Sequence, residues 1–140
     1  MINRVVSAKE VKELAELLSE SYRVVITCHV SPDGDAIGSS LGLYHLLTDL
    51  GKDVKVVTPD APLQSLKFLE SWKEIVPYSR YTEFGNKLLN SADLIFCLDF
   101  NALYRVDKMA DALRMSPAHK VMIDHHLDAE QFCDVTISYP

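Results

Sequence analysis

No apolar stretch in this 140-residue chain approaches the ~20 residues that a membrane-spanning helix requires, so a helical membrane protein is excluded. Basic residues are in the minority, 14 lysines and arginines against 20 aspartates and glutamates, for a formal net charge of −6. That balance disfavours tight binding to long duplex nucleic acid, where phosphate neutralisation needs clustered lysine and arginine. The cysteines are few and odd in number, with Cys28, Cys97 and Cys133 widely separated and no C-x-x-C among them. A disulfide framework and a zinc knuckle are therefore excluded, and a reducing, cytoplasmic setting is the expectation. The opening Met1-Ile2-Asn3-Arg4 runs straight into a charged segment, unlike a signal peptide. There is no internal repeat or low-complexity tract. What is present is ordinary for a globular domain, 48% hydrophobic and 24% charged residues, enough to bury one core without staples.

The periodicity predicts alternating helices and strands. Ser7 and Glu10 have capping-box spacing, and Val11, Leu14, Leu17 and Leu18 form a helical stripe behind them. Arg23 to Cys28 is β-branched and apolar, a strand covered on both faces, in which Cys28 acts as a small filler. A helix from Ala36 to Leu50 with Gly51 as its stop, and a strand from Val54 to Thr58, follow. A short helix over Gln64 to Trp72 and a small strand at Ile75-Val76 precede a helix over Thr82 to Asn90. Leu94 to Leu98 is the most apolar strand and contains Cys97; a helix over Tyr104 to Met115 and a strand over Lys120 to Ile123 complete the set. This alternation predicts an α/β fold, a doubly wound, mainly parallel sheet with helices on both faces.

Polar clusters fall where such strands end. His29-Val30-Ser31-Pro32-Asp33-Gly34-Asp35 follows the first strand, Asp99 the central one, and Asp124-His125-His126 the last. Taken singly, each reads as a solvated turn or a helix cap. Together they bring acids and imidazoles to one rim of an open parallel sheet, the edge on which such folds carry their sites. Oxygen ligands with an occasional imidazole suit a divalent ion such as manganese or magnesium. Gly38-Ser39-Ser40, opening the second helix, suits close helix–sheet packing or contact with a phosphate equally well. His45 reads as a surface or packing residue, and His119 has no acidic partner in the sequence around it. The dispersed aromatics Tyr22, Trp72, Tyr78, Tyr81 and Tyr104 read as core or interface residues rather than a stacking platform.

The ordered set His29-Val30-Ser31-Pro32-Asp33-Gly34-Asp35-Ala36-Ile37-Gly38-Ser39, then Leu98-Asp99 with Arg105, then Ile123-Asp124-His125-His126, resembles the first three motifs of the DHH phosphoesterases. Within that family it is most similar to the oligoribonuclease and 3′-phosphoadenosine-5′-phosphate phosphatase branch. The resemblance implies the N-terminal catalytic domain of that family and a pair of divalent ions, manganese first, with magnesium or cobalt as substitutes. By resemblance, His29 and Asp33 would hold one ion, Asp35 and His125 the other, and Asp99 would bridge them. His126 would face the substrate phosphate, Asp124 would orient the histidine pair, and Arg105 would grip an oxygen bidentately. The implied partner is a short oligonucleotide or nucleotide, with no long duplex and no membrane; a homodimer stays open.

The family pattern also has a fourth motif, an acid followed by proline, and a C-terminal substrate-binding domain. Here Tyr139-Pro140 stands where that acid–proline pair would begin, and Asp134 comes too early to replace the acid. Residues 1–140 are thus expected to be the catalytic lobe of a longer protein, weakly active in isolation. Alternatives are a pyrophosphatase or exopolyphosphatase, a cyclic-dinucleotide phosphodiesterase, and a non-catalytic nucleotide-sensing module. A haloacid-dehalogenase phosphatase also uses D-x-D after a first strand, but has no need of His29 or the paired histidines.

Overall fold

Runs of β-branched and aliphatic residues too apolar for one wet face dictate a sheet covered on both sides. The structure, a computed structural model, describes residues 8–30, 32, 34–98, 106, 108–124 and 133–138. Its strands are β1 (Arg23–Thr27), β2 (Asp53–Thr58), β3 (Val76–Pro77), β4 (Leu94–Leu98), β5 (His119–Asp124) and β6 (Val135–Ser138). They form one sheet in the order β3-β2-β1-β4-β5-β6, with every pairing parallel. The mainly parallel sheet expected from sequence is parallel throughout its described strands. Helices α1 (Ala8–Glu20), α2 (Gly34–Asp49), α3 (Thr82–Ser91) and α4 (Ala110–Met115) cover it.

Side-chain alternation along the strands divides the core in two. Val24, Ile26, Leu94, Phe96 and Val121 meet Ile37, Leu41 and Leu47 of α2, and Leu14, Leu17 and Leu18 of α1 pack beside them. Val25, Val57, Ile95 and Cys97 face the other way, against Leu89 of α3 and Leu113 of α4. All five residues of β4 are buried, as its composition demands, each large side chain contributing roughly 1.5–3 kcal/mol by leaving water. Val11, expected in the buried stripe of α1, is instead 55% exposed. Cys28 and Cys97 are buried fillers as expected. Burial pushes the Cys97 thiol well up, and hydrogen bonding to Cys133 pushes the same way, so it is held as an inert thiol.

Two helical expectations shorten. Leu66, Leu69 and Trp72 do pack on the first core, but the Gln64–Trp72 segment is not one helix. It forms a 3₁₀ turn at Gln64–Leu66 and another at Trp72–Glu74, with Ser71 left-handed (φ 68°) before the second. The helix expected from Tyr104 is α-helical only over Ala110–Met115; residues 100–105 and 107 lie outside the described set, as does Ser7 of the capping box. Gly51 has φ +87°, the left-handed stop that glycine allows after α2. Lys52 closes another helix end, its Nζ donating to the carbonyls of Leu18 and Ser21 at 2.6 Å each beyond α1.

The amino edge of the sheet is fastened by Asp93. Its carboxylate accepts the backbone N–H groups of Arg23 (2.8 Å) and Tyr22 (2.9 Å), and its own N–H donates to the Arg23 carbonyl (2.8 Å). The Arg23 and then the Tyr22 amide hold its carboxyl below the usual aspartate range. A carboxyl whose pKa is lowered by folding stabilises the fold above its unfolded pKa and loses that contribution as pH falls through the folded one. Asp93→Ala is therefore expected to cost about 1 kcal/mol near neutral pH, a figure kept small because the group is exposed. The difference should shrink at acid pH, as the carboxyl is protonated on passing through its lowered folded pKa. Urea unfolding at neutral and at acid pH checks this; a pH-independent difference would refute it.

Candidate functional site

Strand order places the site before any side chain does. The chain steps outward from β1 to β2 and β3, then returns past β1 to β4, so the topological switch lies between β1 and β4. The helices that follow those two strands lie on opposite faces, α2 on one and α4 on the other, the arrangement in which α/β folds carry a crevice beyond the strands' carboxyl ends. β1 ends at Thr27, two residues before His29; β4 ends at Leu98, the residue before Asp99; and β5 ends on Asp124 itself. Thr27 pairs with Cys97, and Leu98 with Ile123, so these three strands finish in step.

His29 is buried (9% exposed), and its Nδ1 lies 2.7 Å from the Val30 carbonyl. A carbonyl only accepts, so this contact places a proton on Nδ1. That is the arrangement of a histidine oriented for Nε2 ligation, with its other nitrogen donating to a backbone carbonyl. Pro32 is buried, and Asp35 stands exposed in the first turn of α2, which begins at Gly34 rather than Ala36. There the partial positive charge of the helix end favours a carboxylate or a bound anion. A borderline-hard ion ligated by one imidazole and carboxylates fits this donor chemistry. Of the expected ligands, His29 and Asp35 are described. Asp33, Asp99 and His125 lie outside the described residues, as do His126, Arg105, Tyr104, Tyr139 and Pro140; Asp124 is described in its backbone alone. Among the described residues, no cluster of three or more histidine, cysteine or acidic side chains could hold a metal ion.

The serines and the glycine of α2 separate into two roles. Ser40 is buried and its hydroxyl donates back to the Ala36 carbonyl at 2.7 Å, a packing role. Gly38 and Ser39 are exposed, and a Cβ built on Gly38 meets nothing within 4 Å among the described residues. Close helix–sheet packing therefore does not explain that glycine.

One acid and one histidine belong to the opposite edge. Asp134 precedes β6, accepts the Lys120 N–H at 2.7 Å, and lies 3.6 Å from Nδ1 of His119, the first residue of β5. His119, which lacks an acidic neighbour in sequence, thus has one in space. Asp134 stands at the amino edge and takes no part in the carboxyl rim, so it is not a displaced fourth-motif ligand. His45 is half-buried, edge-on to the Tyr44 ring at 5.3 Å, and packs within α2. Of the aromatics, Tyr78 is buried, Trp72 packs on the first core, and Tyr22 and Tyr81 are exposed on different edges; they form no platform.

A family model, "DHH family, N-terminal domain", matches residues 23–140. The chain belongs to the DHH family. It is similar to two proteins called "Bifunctional oligoribonuclease and PAP phosphatase NrnA". The one from Thermus thermophilus is 51% identical over 51 residues, covering 36% of this chain and 15% of the relative. The one from Bacillus subtilis is 28% identical over 123 residues, covering 88% of this chain and 35% of the relative. Among solved structures, an exopolyphosphatase-related protein from Bacteroides fragilis superposes with a TM-score of 0.96 at 48% identity, over 99% of this chain and 41% of that one. This DHH chain thus spans about a third of the Bacillus relative and two-fifths of the solved neighbour. No described helix is long and apolar enough to cross a membrane.

Proposed function

We propose that the chain is the metal-binding lobe of a phosphoesterase that hydrolyses short oligoribonucleotides or nucleotide 3′-phosphates such as 3′-phosphoadenosine-5′-phosphate. The observation that carries this reading is that β1, β4 and β5 finish in step beside the topological switch, and the family's first three motifs stand at or directly after those strand ends in the sequence. Likeness to the two NrnA proteins supports the nucleotide substrate class.

In this reading His29 and Asp33 would hold one divalent ion, Asp35 and His125 the other, and Asp99 would be shared between them, manganese being the first choice. Two such ions supply charge neutralisation at the phosphoester and a water acidified toward hydroxide. The chain's own groups do the rest. His29, with Nδ1 at the Val30 carbonyl, would ligate through its other nitrogen, Nε2. His126 would face the phosphate, Asp124 would orient the histidine pair, and Arg105 would grip the substrate phosphate bidentately. Three aspartates against two divalent ions leave the centre positive, which draws an anionic ester despite a chain charge of −6. A substrate-binding domain of the family's kind would lie outside residues 1–140, and the buried thiols of Cys28 and Cys97 fit a reducing cytoplasm.

The test uses the full-length protein with Mn²⁺. Pentaadenylate should be shortened to mononucleotides, and 3′-phosphoadenosine-5′-phosphate should release phosphate, with both activities lost in EDTA. A second reading, exopolyphosphatase or pyrophosphatase, is favoured by the 48% identity to the exopolyphosphatase-related neighbour. Release of phosphate from polyphosphate or pyrophosphate, with both nucleotide substrates untouched, would decide for it.

A further inference from the structure

Away from the rim, a cleft of about 670 Å³ runs between α3 and α4. One wall is Asn86, Lys87 and Asn90 of α3. The other is Lys108, Asp111, Ala112 and Met115, a stripe at i, i+3, i+4 and i+7 leading into and along α4. Tyr78 forms the floor, buried, with its hydroxyl donating to Asn86 Oδ1 at 2.5 Å. That bond fixes the carboxamide and commits its oxygen, so the Asn86 NH₂ carries the donors left for a guest. Asn90 adds a second amide one helical turn on. Asp111 is paired with Arg114 at 2.6 Å, so Lys87 and Lys108 leave the lining positive on a chain of net −6. Met115, 77% exposed, offers a polarizable apolar surface at the far end.

This combination of cations, amides and an exposed thioether selects among guests. Inorganic phosphate would use only the lysines, and an apolar peptide would leave the amides unmatched. A single-stranded nucleotide run uses all three: phosphates at the lysines, base edges at the amides, a base face at Met115. Position adds to the chemistry. α3 and α4 each connect a strand's carboxyl end to the next strand's amino end, so both run back from the carboxyl rim and the cleft between them leads away from it. We infer that the α3–α4 cleft is a binding track for the uncleaved nucleotides of a short oligoribonucleotide whose terminal phosphoester lies at the rim. The inference rests on the proposed nucleotide substrate but is tested separately from turnover.

The full-length protein is titrated with 5′-fluorescein pentaadenylate in EDTA, where no cleavage occurs, and anisotropy is followed. Lys87 and Lys108 are exposed, so Lys87→Glu/Lys108→Glu should fold, which circular dichroism verifies. It should weaken binding at least about tenfold, with a shallower dependence on salt by roughly 0.7 for each phosphate no longer neutralised. Asn90→Ala should weaken binding several-fold with the salt slope unchanged. With Mn²⁺, the double variant should lose kcat/KM on pentaadenylate and keep it on the dinucleotide pApA. Pentaadenylate affinity equal to wild type would overturn the track, even if hydrolysis proceeds. Adenosine monophosphate binding as tightly as pentaadenylate, and weakened equally by the variant, would overturn it in favour of a mononucleotide site. Binding that the double variant abolishes, in a protein that cleaves no nucleotide, would uphold the cleft and remove the catalytic reading.

Discussion

Asp99→Ala is expected to lower kcat/KM on pentaadenylate or 3′-phosphoadenosine-5′-phosphate at least about 10³-fold, with the fold intact. Residues that merely orient metal ligands cost 10–100-fold when removed, and a carboxylate shared by two ions should cost more. A thousandfold corresponds to roughly 4 kcal/mol of transition-state stabilisation. Stability should move the other way. Asp99 follows β4, whose five buried side chains hold that strand in place whatever stands after Leu98. Without metal, carboxylates brought to one rim repel each other, so the variant should melt no lower than wild type in EDTA. Isothermal titration with Mn²⁺, steady-state kinetics and thermal melts make the three measurements. Undiminished manganese affinity would sink the assignment of Asp99 as the bridge.

Gly85→Ala is expected to destabilise the fold by about 2 kcal/mol, seen as a drop of roughly 5 °C in Tm for a domain of this size. A Cβ there would lie 2.6 Å from Cδ1 and 3.3 Å from Cε1 of Tyr78. The ring cannot easily swing aside. It is 6% exposed, its hydroxyl is bonded to Asn86, and its backbone N–H donates to the Thr58 carbonyl at 2.7 Å. Alanine's better helix propensity returns up to about 1 kcal/mol, less than overpacking and a lost buried hydrogen bond remove. Shrinking the ring in Tyr78→Val/Gly85→Ala should recover part of the loss, so that the two changes are non-additive in a double-mutant cycle. Wild-type stability in Gly85→Ala alone would show that the tyrosine is not fixed.

Much of the fold is legible in the sequence because parallel strands buried on both faces must be nearly continuous hydrophobics. Arg23–Thr27 and Leu94–Leu98 declare themselves, with expected ends within a residue of those observed. The Gln64–Trp72 segment misleads for a physical reason. Leu66, Leu69 and Trp72 recur every third residue, a spacing that α and 3₁₀ turns share, and periodicity alone does not register the left-handed Ser71 between the turns. The site was legible as motifs and, through the expected parallel order, as a common edge. The Nδ1 contact of His29 was not, since it depends on where the Val30 carbonyl turns. Nor was the partnership of His119 with Asp134, which strand pairing brings together across an intervening segment. The α3–α4 cleft lacks a sequence motif altogether. Asn86, Lys87 and Asn90 are ordinary helix-surface residues until Lys108 and Met115 stand opposite.

The strand order that opens the crevice also governs how the molecule must assemble. β1 lies between β2 and β4, and its pairing with β2 closes a short α/β unit that can form early. Its other side waits for β4, with Asp93 gripping the Arg23 amide across 70 residues. Closing that loop orders much chain before contacts reward it, so folding should fall toward the slower, millisecond-to-second range of non-local topologies. During synthesis, the free edge of β1 is the surface most in need of protection, and it is the arrival of β4 that both hides it and completes the carboxyl rim.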